Sequence, residues 1–399
     1  MSRARRTSSL LSDPKLRRAP GAPRSRFEER VLARSSKLPR VTLPRISEDQ
    51  LTLEYLAEHE ALLDSPFLIV STNTEAADAL TGTTIPSSLS FDDVAKEIGD
   101  STTVRLIDVD SQSELTGHTL RDYVEYIAHR TAAHKVLNLI SLEVSSTPLS
   151  ARVQAPELVR QLDWIDILWP LDRRSRGDYP QVQKYCLISM EGAYTDFHVD
   201  FGGTSVWYHV SRGAKRFFIV PPSEENLAKF ASWMCSGDQS STFFGDLVEG
   251  QCMQFDLHPG STLIVPAGWI HAVYTPEDSL VFGGNFLHFF SALKQLQVYV
   301  LEQRINVIKT YRLPLFRQIH MYALCEALRV FESSLAGEVD EADHSIATAL
   351  KSRKALHQVP YLLHMCALWS KSQVEWMHRN YCGLHSLIVD AGGGGAALV

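Results

Sequence analysis

Between residues 182 and 290 short runs of aromatic and β-branched residues recur, each broken by glycine or proline: 185–190, 205–210, 216–220, 252–256, 261–265, 271–274 and 280–283. Runs this short with turn signals between them cannot form long helices. They predict a β-sandwich or barrel, with one helix, 223–234, set into it.

Two motifs in this region carry chemistry. Tyr194-Thr195-Asp196-Phe197-His198-Val199-Asp200-Phe201-Gly202-Gly203 holds His198 and Asp200 two apart, a spacing that turns both to the same face of one strand. Pro266-Ala267-Gly268-Trp269-Ile270-His271 puts His271 at the start of another strand, 73 residues after His198. In a small barrel two such strands can be neighbours. Two imidazoles and one carboxylate suit an open-faced iron(II) better than structural zinc, which prefers closed, sulfur-richer sites. The vacant positions on such an iron can take 2-oxoglutarate and dioxygen together, so the residues point to an oxygenase rather than a binding module. Singly, His198 and His271 read as structural histidines; Gly202-Gly203 and Gly268 beside them, which permit close approach, raise the combination above that reading. A buried dicarboxylate also needs a cation and hydroxyl donors to offset its desolvation. Lys215, on the next strand, and Thr195 are the candidates.

Composition bounds the rest. With 399 residues and 45% apolar content the chain can bury a sizeable core in one or two domains. Residues 1–45 hold 13 of the 39 Lys and Arg and only three acids, so a +10 arm precedes a body of −17. The arm has no apolar period and reads as disordered. Its clusters Arg3-Ala4-Arg5-Arg6 and Lys15-Leu16-Arg17-Arg18 suit nuclear import or weak, non-specific nucleic-acid contact, and a transit peptide has the same composition. The six cysteines are widely spaced, which argues against a zinc finger or disulfide framework and for a reducing compartment. No run of about 18 apolar residues predicts a membrane span.

The expected order is a disordered basic arm (1–45), an α+β lead-in (46–180), the barrel core (181–290), a helical C-terminal region (291–390) and a flexible tail (391–399). In the lead-in the pattern predicts helices over 47–63, 90 onward, 120–130 and 157–168, and strands at 66–70, 104–109 and 136–144. Helices are expected after 291 at 293–311, 315–335, 341–356 and 359–381. The fold class is α+β with a mainly β core.

The string Tyr185-Cys186-Leu187-Ile188-Ser189-Met190, the His198 motif extended through Thr204-Ser205-Val206-Trp207-Tyr208-His209, and Phe282-Gly283-Gly284-Asn285-Phe286-Leu287-His288 resemble the JmjC histone lysine demethylases. Asp108-Val109-Asp110, Val136-Leu137-Asn138-Leu139-Ile140-Ser141-Leu142-Glu143 and Asp163-Trp164-Ile165-Asp166-Ile167-Leu168-Trp169-Pro170 extend the match over about residues 100–310. Within that family the chain is most similar to the branch carrying F-box and CXXC domains and to its PHD-finger sister. The resemblance implies a double-stranded β-helix of the jelly-roll or cupin type, with flanking helices and a C-terminal helical bundle. It implies iron(II) ligands at His198, Asp200 and His271, and 2-oxoglutarate contacts from Thr195, Lys215, Asn138 and Tyr208. Ile140, Glu143, Phe201, Ile270 and Asn285 match positions that shape the methyl-lysine channel. The implied activity is demethylation of mono- or dimethylated lysine on the histone H3 tail, near the nucleosome core, by N-methyl hydroxylation with release of formaldehyde, in the nucleus. Two readings compete: a JmjC protein hydroxylase, which leaves a stable alcohol, and a catalytically silent chromatin scaffold. Agreement outside the metal motif counts against the first, and the intact ligand set against the second.

Overall fold

Two long strands organise the protein, and each reads in sequence as two short ones. A computed structural model describes residues 9–18, 26–70, 79–80, 83–86, 89–336 and 344–369. Eleven strands share one hydrogen-bonded sheet: β1 (Arg45–Ser47), β2 (Phe67–Val70), β3 (Thr103–Asp108), β4 (Ser113–Thr119), β5 (Leu137–Glu143), β6 (Tyr185–Ser189), β7 (Tyr194–His198), β8 (Ser205–Val220), β9 (Met253–Leu257), β10 (Thr262–Val265) and β11 (Ile270–Phe286). Ala79–Leu80 and Thr83–Thr84 pair separately.

Strands β8 and β11 are antiparallel partners from Ser205↔Phe286 to Val220↔Ile270. Three register shifts between Val210 and Arg216 crease the pair, as bulges do. Gly213 sits in the crease at φ +74, where a Cβ would meet the Asp278 carbonyl oxygen at 2.2 Å. The crease divides the ribbon between two layers. The larger has the order β1-β2-β10-β8-β11-β6-β5-β3-β4; in the smaller, β9 pairs the second half of β8 and β7 pairs the first half of β11. The result is the expected α+β fold with a β-sandwich core of jelly-roll type.

An apolar core fills the space between the layers. Val210, Phe217, Ile219, Leu257, Leu263, Val265 and Val281 are each no more than 2% exposed. Burying a side chain the size of Phe217 contributes roughly 2 kcal/mol. A second cluster joins the outer sheet face to the helices, including Ala292–Arg304, Phe316–Ala336, His344–Lys351 and Arg353–Leu368.

Several expectations change. The arm expected to be disordered is folded where described. Arg26–Ser35 is helical, Val31 is fully buried, and Arg34 pairs with Asp246 at 2.6 Å. The backbone at 39–41 then exchanges hydrogen bonds with Gln254 on β9, and Arg40 joins Arg216 on Asp256. Its arginines thus meet acids of the body, a pairing that its composition alone does not display. The helix expected over 47–63 breaks into a 3-10 turn (Glu48–Gln50), a helix (Leu53–Glu58) capped by Thr52, and a second 3-10 turn (Glu60–Asp64). That over 157–168 divides at Asp163, whose carboxylate accepts the Ile165 N–H and starts the second helix. Strand β4 went unread because its polar, mostly exposed residues do not alternate. The last expected helix is described as Arg353–Leu368; the tail 391–399 lies outside the described residues. Among the described residues no helix is long and apolar enough to cross a membrane.

Candidate metal centre and active site

His198 ends β7 and His271 stands second on β11, directly opposite it in the register. Asp200 lies just past the strand, in extended conformation (φ −60, ψ 141), at the head of the tight turn Phe201–Gly203. The strand therefore ends earlier than the same-face argument assumed, but the extended backbone keeps the alternation. One donor atom from each of the three lies within 4.8 Å of the others, with His271 Nε2 3.7 Å from Asp200 Oδ2.

Each imidazole is held by its far nitrogen. His198 Nδ1 is 2.9 Å from the Asp196 carbonyl and His271 Nδ1 is 3.1 Å from the Trp269 carbonyl. A carbonyl can only accept, so Nδ1 carries the hydrogen in both rings and Nε2 is the nitrogen left for a metal. Burial, with His198 beside it, pushes His271 down to about 4, which keeps the imidazole neutral. The Asn285 amide stands 3.5 Å from Asp200 Oδ1 and donates to Thr204 Oγ1 at 2.8 Å. Two oriented imidazoles and a carboxylate fit an iron(II) ion and leave the remainder of its sphere open.

Lys215 is 2% exposed, and its Nζ donates to Thr275 Oγ1 at 2.9 Å. Burial lowers its pKa to about 7. No carboxylate pairs with it among the described residues. Lys215 lines the same cavity as the three donors, of about 640 Å³, in the usual range for a small-ligand site. Thr195 and Tyr208 line it as well. Asn138 lies behind Thr195, donating to its hydroxyl at 3.2 Å, and the Asn138 side-chain oxygen is buried with no partner. A buried lysine and the Thr195 hydroxyl beside an open metal position fit an anionic chelating ligand.

A sequence profile described as a JmjC domain, hydroxylase, matches residues 185–286. The chain carries a JmjC domain. It is 44% identical to lysine-specific demethylase 2A of Xenopus tropicalis over 248 residues, 59% of this chain and 22% of that protein. It is 38% identical to histone lysine demethylase PHF8 of Danio rerio over 336 residues (84% and 30%), and 39% identical to human lysine-specific demethylase 7A over 331 residues (82% and 33%). The chain thus spans a third or less of the length of these relatives.

The JmjC domain match contains the three donors, Thr195 and Lys215, whereas Asn138, Ile140 and Glu143 come from β5, before it. Ile140, Glu143, Phe201 and Asn285 all line the cavity. Glu143 accepts the Ser145 N–H at 2.9 Å, and its burial raises its pKa. Ile270 does not reach the cavity: it is fully buried in the outer cluster. Alternation along β11 explains this, since turning His271 inward turns Ile270 to the opposite face.

Two residues of the site escaped the sequence reading. Thr275 has the parity of His271 and Val273, so alternation alone could have placed it on the inner face. Glu302, in the helix Ala292–Arg304, also lines the cavity and is 6% exposed; burial pushes it up to about 7. No pattern near the metal motif pointed to it.

Proposed function

We propose that this protein is an iron(II)- and 2-oxoglutarate-dependent dioxygenase that removes methyl groups from lysine on histone tails. The observation that carries this reading is Lys215: a buried lysine with no carboxylate partner among the described residues, in one cavity with His198, Asp200 and His271. Such a lysine stays costly until an anion joins it. Relatives named histone lysine demethylases support the substrate class.

In this reading His198, Asp200 and His271 hold the metal. Iron(II) bound there with 2-oxoglutarate and dioxygen supplies the oxidising power to hydroxylate an N-methyl group, whose hydroxymethyl product breaks down to formaldehyde and the less methylated lysine. Lys215 and Thr195 grip the distal carboxylate of 2-oxoglutarate, with Asn138 fixing the Thr195 hydroxyl and Tyr208 closing that end. Thr275 orients the ammonium. Asn285 steadies the Asp200 carboxylate. Ile140 and Phe201 form apolar walls that exclude water, and Glu143 provides a negative charge for a methylammonium. Mono- and dimethylated lysines of the H3 tail near the nucleosome core are the favoured substrates, which places the work in the nucleus.

The test incubates the chain with methylated H3 peptides, iron(II), ascorbate and 2-oxoglutarate, and follows succinate, formaldehyde and peptide mass. Demethylated peptide with formaldehyde is expected, and no product from Asp200→Ala. A peptide heavier by one oxygen, without formaldehyde, would make the protein a hydroxylase. No iron-dependent succinate, or turnover by Asp200→Ala equal to wild type, ends the oxygenase reading.

A further inference from the structure

We propose that Glu302 is a positioning residue for the metal site, holding from the C-terminal helical region the turn that carries Asp200. Glu302 Oε1 accepts the Gly202 N–H at 2.7 Å. Gly202 is the second residue after Asp200, and the Asp200 carbonyl in turn accepts the Gly203 N–H at 3.0 Å. Gly202 and Gly203 both have φ +60, a conformation with no side chain to wedge it in place.

The helix bearing Glu302 lies hard against this turn. A Cβ on Gly203 would stand 2.9 Å from Val298 and 3.0 Å from the Gln295 Cα; one on Gly202 would stand 2.9 Å from Phe316. The turn is therefore clamped between two C-terminal helices, with one charge-assisted hydrogen bond fixing its height and rotation. Phe201, the residue between the ligand and the gripped N–H, lines the cavity, so the bond sets one wall as well as the carboxylate. Glu302 touches no metal ligand and acts through the backbone. An acceptor aimed at a ligand-bearing turn plays the part of the outer groups that orient metal ligands elsewhere, whose loss weakens metal binding roughly 10- to 100-fold.

This inference rests on His198, Asp200 and His271 being metal ligands, and wild-type binding tests that separately. Mn(II) affinity of the full chain is measured by electron paramagnetic resonance titration, without cosubstrate or turnover. Wild type must bind one Mn(II) that is lost in Asp200→Ala; otherwise the site reading fails, not the role of Glu302. Glu302→Gln keeps an oxygen acceptor and should bind within about threefold of wild type, as expected for a neutral acceptor in place of a charged one. Glu302→Leu removes it and should bind at least ~10-fold more weakly. Leu296→Ala, which loosens the same helix without touching the Gly202 bond, should leave Mn(II) affinity unchanged. Should Glu302→Leu give no folded protein, Glu302→Asp, which withdraws the acceptor by one methylene, takes its place with the same expected loss. Wild-type affinity in the acceptor-deleted variant, equal losses in Glu302→Gln, or an equal loss in Leu296→Ala would each overturn the proposal.

Discussion

Lys215→Met should make the unliganded protein more stable while disabling it. Burial takes the lysine from 10.5 to about 7. Between those two values the unfolded chain binds a proton that the folded chain does not, so the stability of the unliganded protein rises with pH across that window. At pH 7 nearly the whole penalty is present, on the order of 4 kcal/mol at 1.36 kcal/mol per pKa unit. Methionine has a similar shape and no charge. The substitution also removes the 2.9 Å bond to Thr275, a loss of about 1 kcal/mol. The net gain at pH 7 is roughly 3 kcal/mol, which corresponds to a melting temperature several degrees higher. At pH 9.5 the gain should have nearly vanished, because most of the wild-type penalty is gone there. The 2-oxoglutarate carboxylate loses its counter-ion, so the melting shift it induces with Mn(II) in wild type should disappear in the variant. Thermal melts of both proteins at pH 7 and 9.5, with and without 2-oxoglutarate, check all three statements. A variant that melts below wild type at pH 7, a gap that widens with pH, or an undiminished 2-oxoglutarate shift refutes the reasoning.

Two further predictions concern the parts around this lysine. Thr275→Val keeps the volume and removes the hydroxyl that orients Lys215, so KM for 2-oxoglutarate should rise about fivefold with kcat little changed, matching one hydrogen bond of about 1 kcal/mol; an unchanged KM refutes the orienting role. Gly284→Ala places a Cβ 1.8 Å from the Gln183 carbonyl oxygen, which forces β11 away from the chain leading into β6; it should lower stability by roughly 3 kcal/mol or more, and a melting temperature within about 2 °C of wild type refutes the close approach.

The candidate metal centre was legible because its signal is local: a two-residue spacing, glycines beside it and a distant histidine at a strand start. Thr275 follows the same alternation and could have been read. Glu302 could not, since its place depends on how a helix in the following region lands on the Gly202 turn. For the fold, short apolar runs marked most strands, but β8 and β11 were each divided, at Gly213 and at Pro276-Glu277-Asp278. The hydrogen-bonded pair bends through those residues without ending. Residues 26–45 were misjudged for an electrostatic reason: the arginines that suggest a free arm are matched by Asp246 and Asp256, some 200 residues away in sequence. Ile270 was expected at the channel from the family resemblance, whereas a strand that turns His271 inward puts its neighbour on the opposite face.

The creased ribbon of β8 and β11 carries Tyr208, Lys215 and Phe217 on one member and His271, Val273, Thr275 and Asn285 on the other. The lysine proposed to anchor a cosubstrate and one of the three proposed metal ligands are thereby welded into a single mechanical part, to which β7, bearing His198, is itself hydrogen-bonded. Heating cannot strip away one capability while sparing the other, so catalytic failure should arrive all at once, with the rupture of that part.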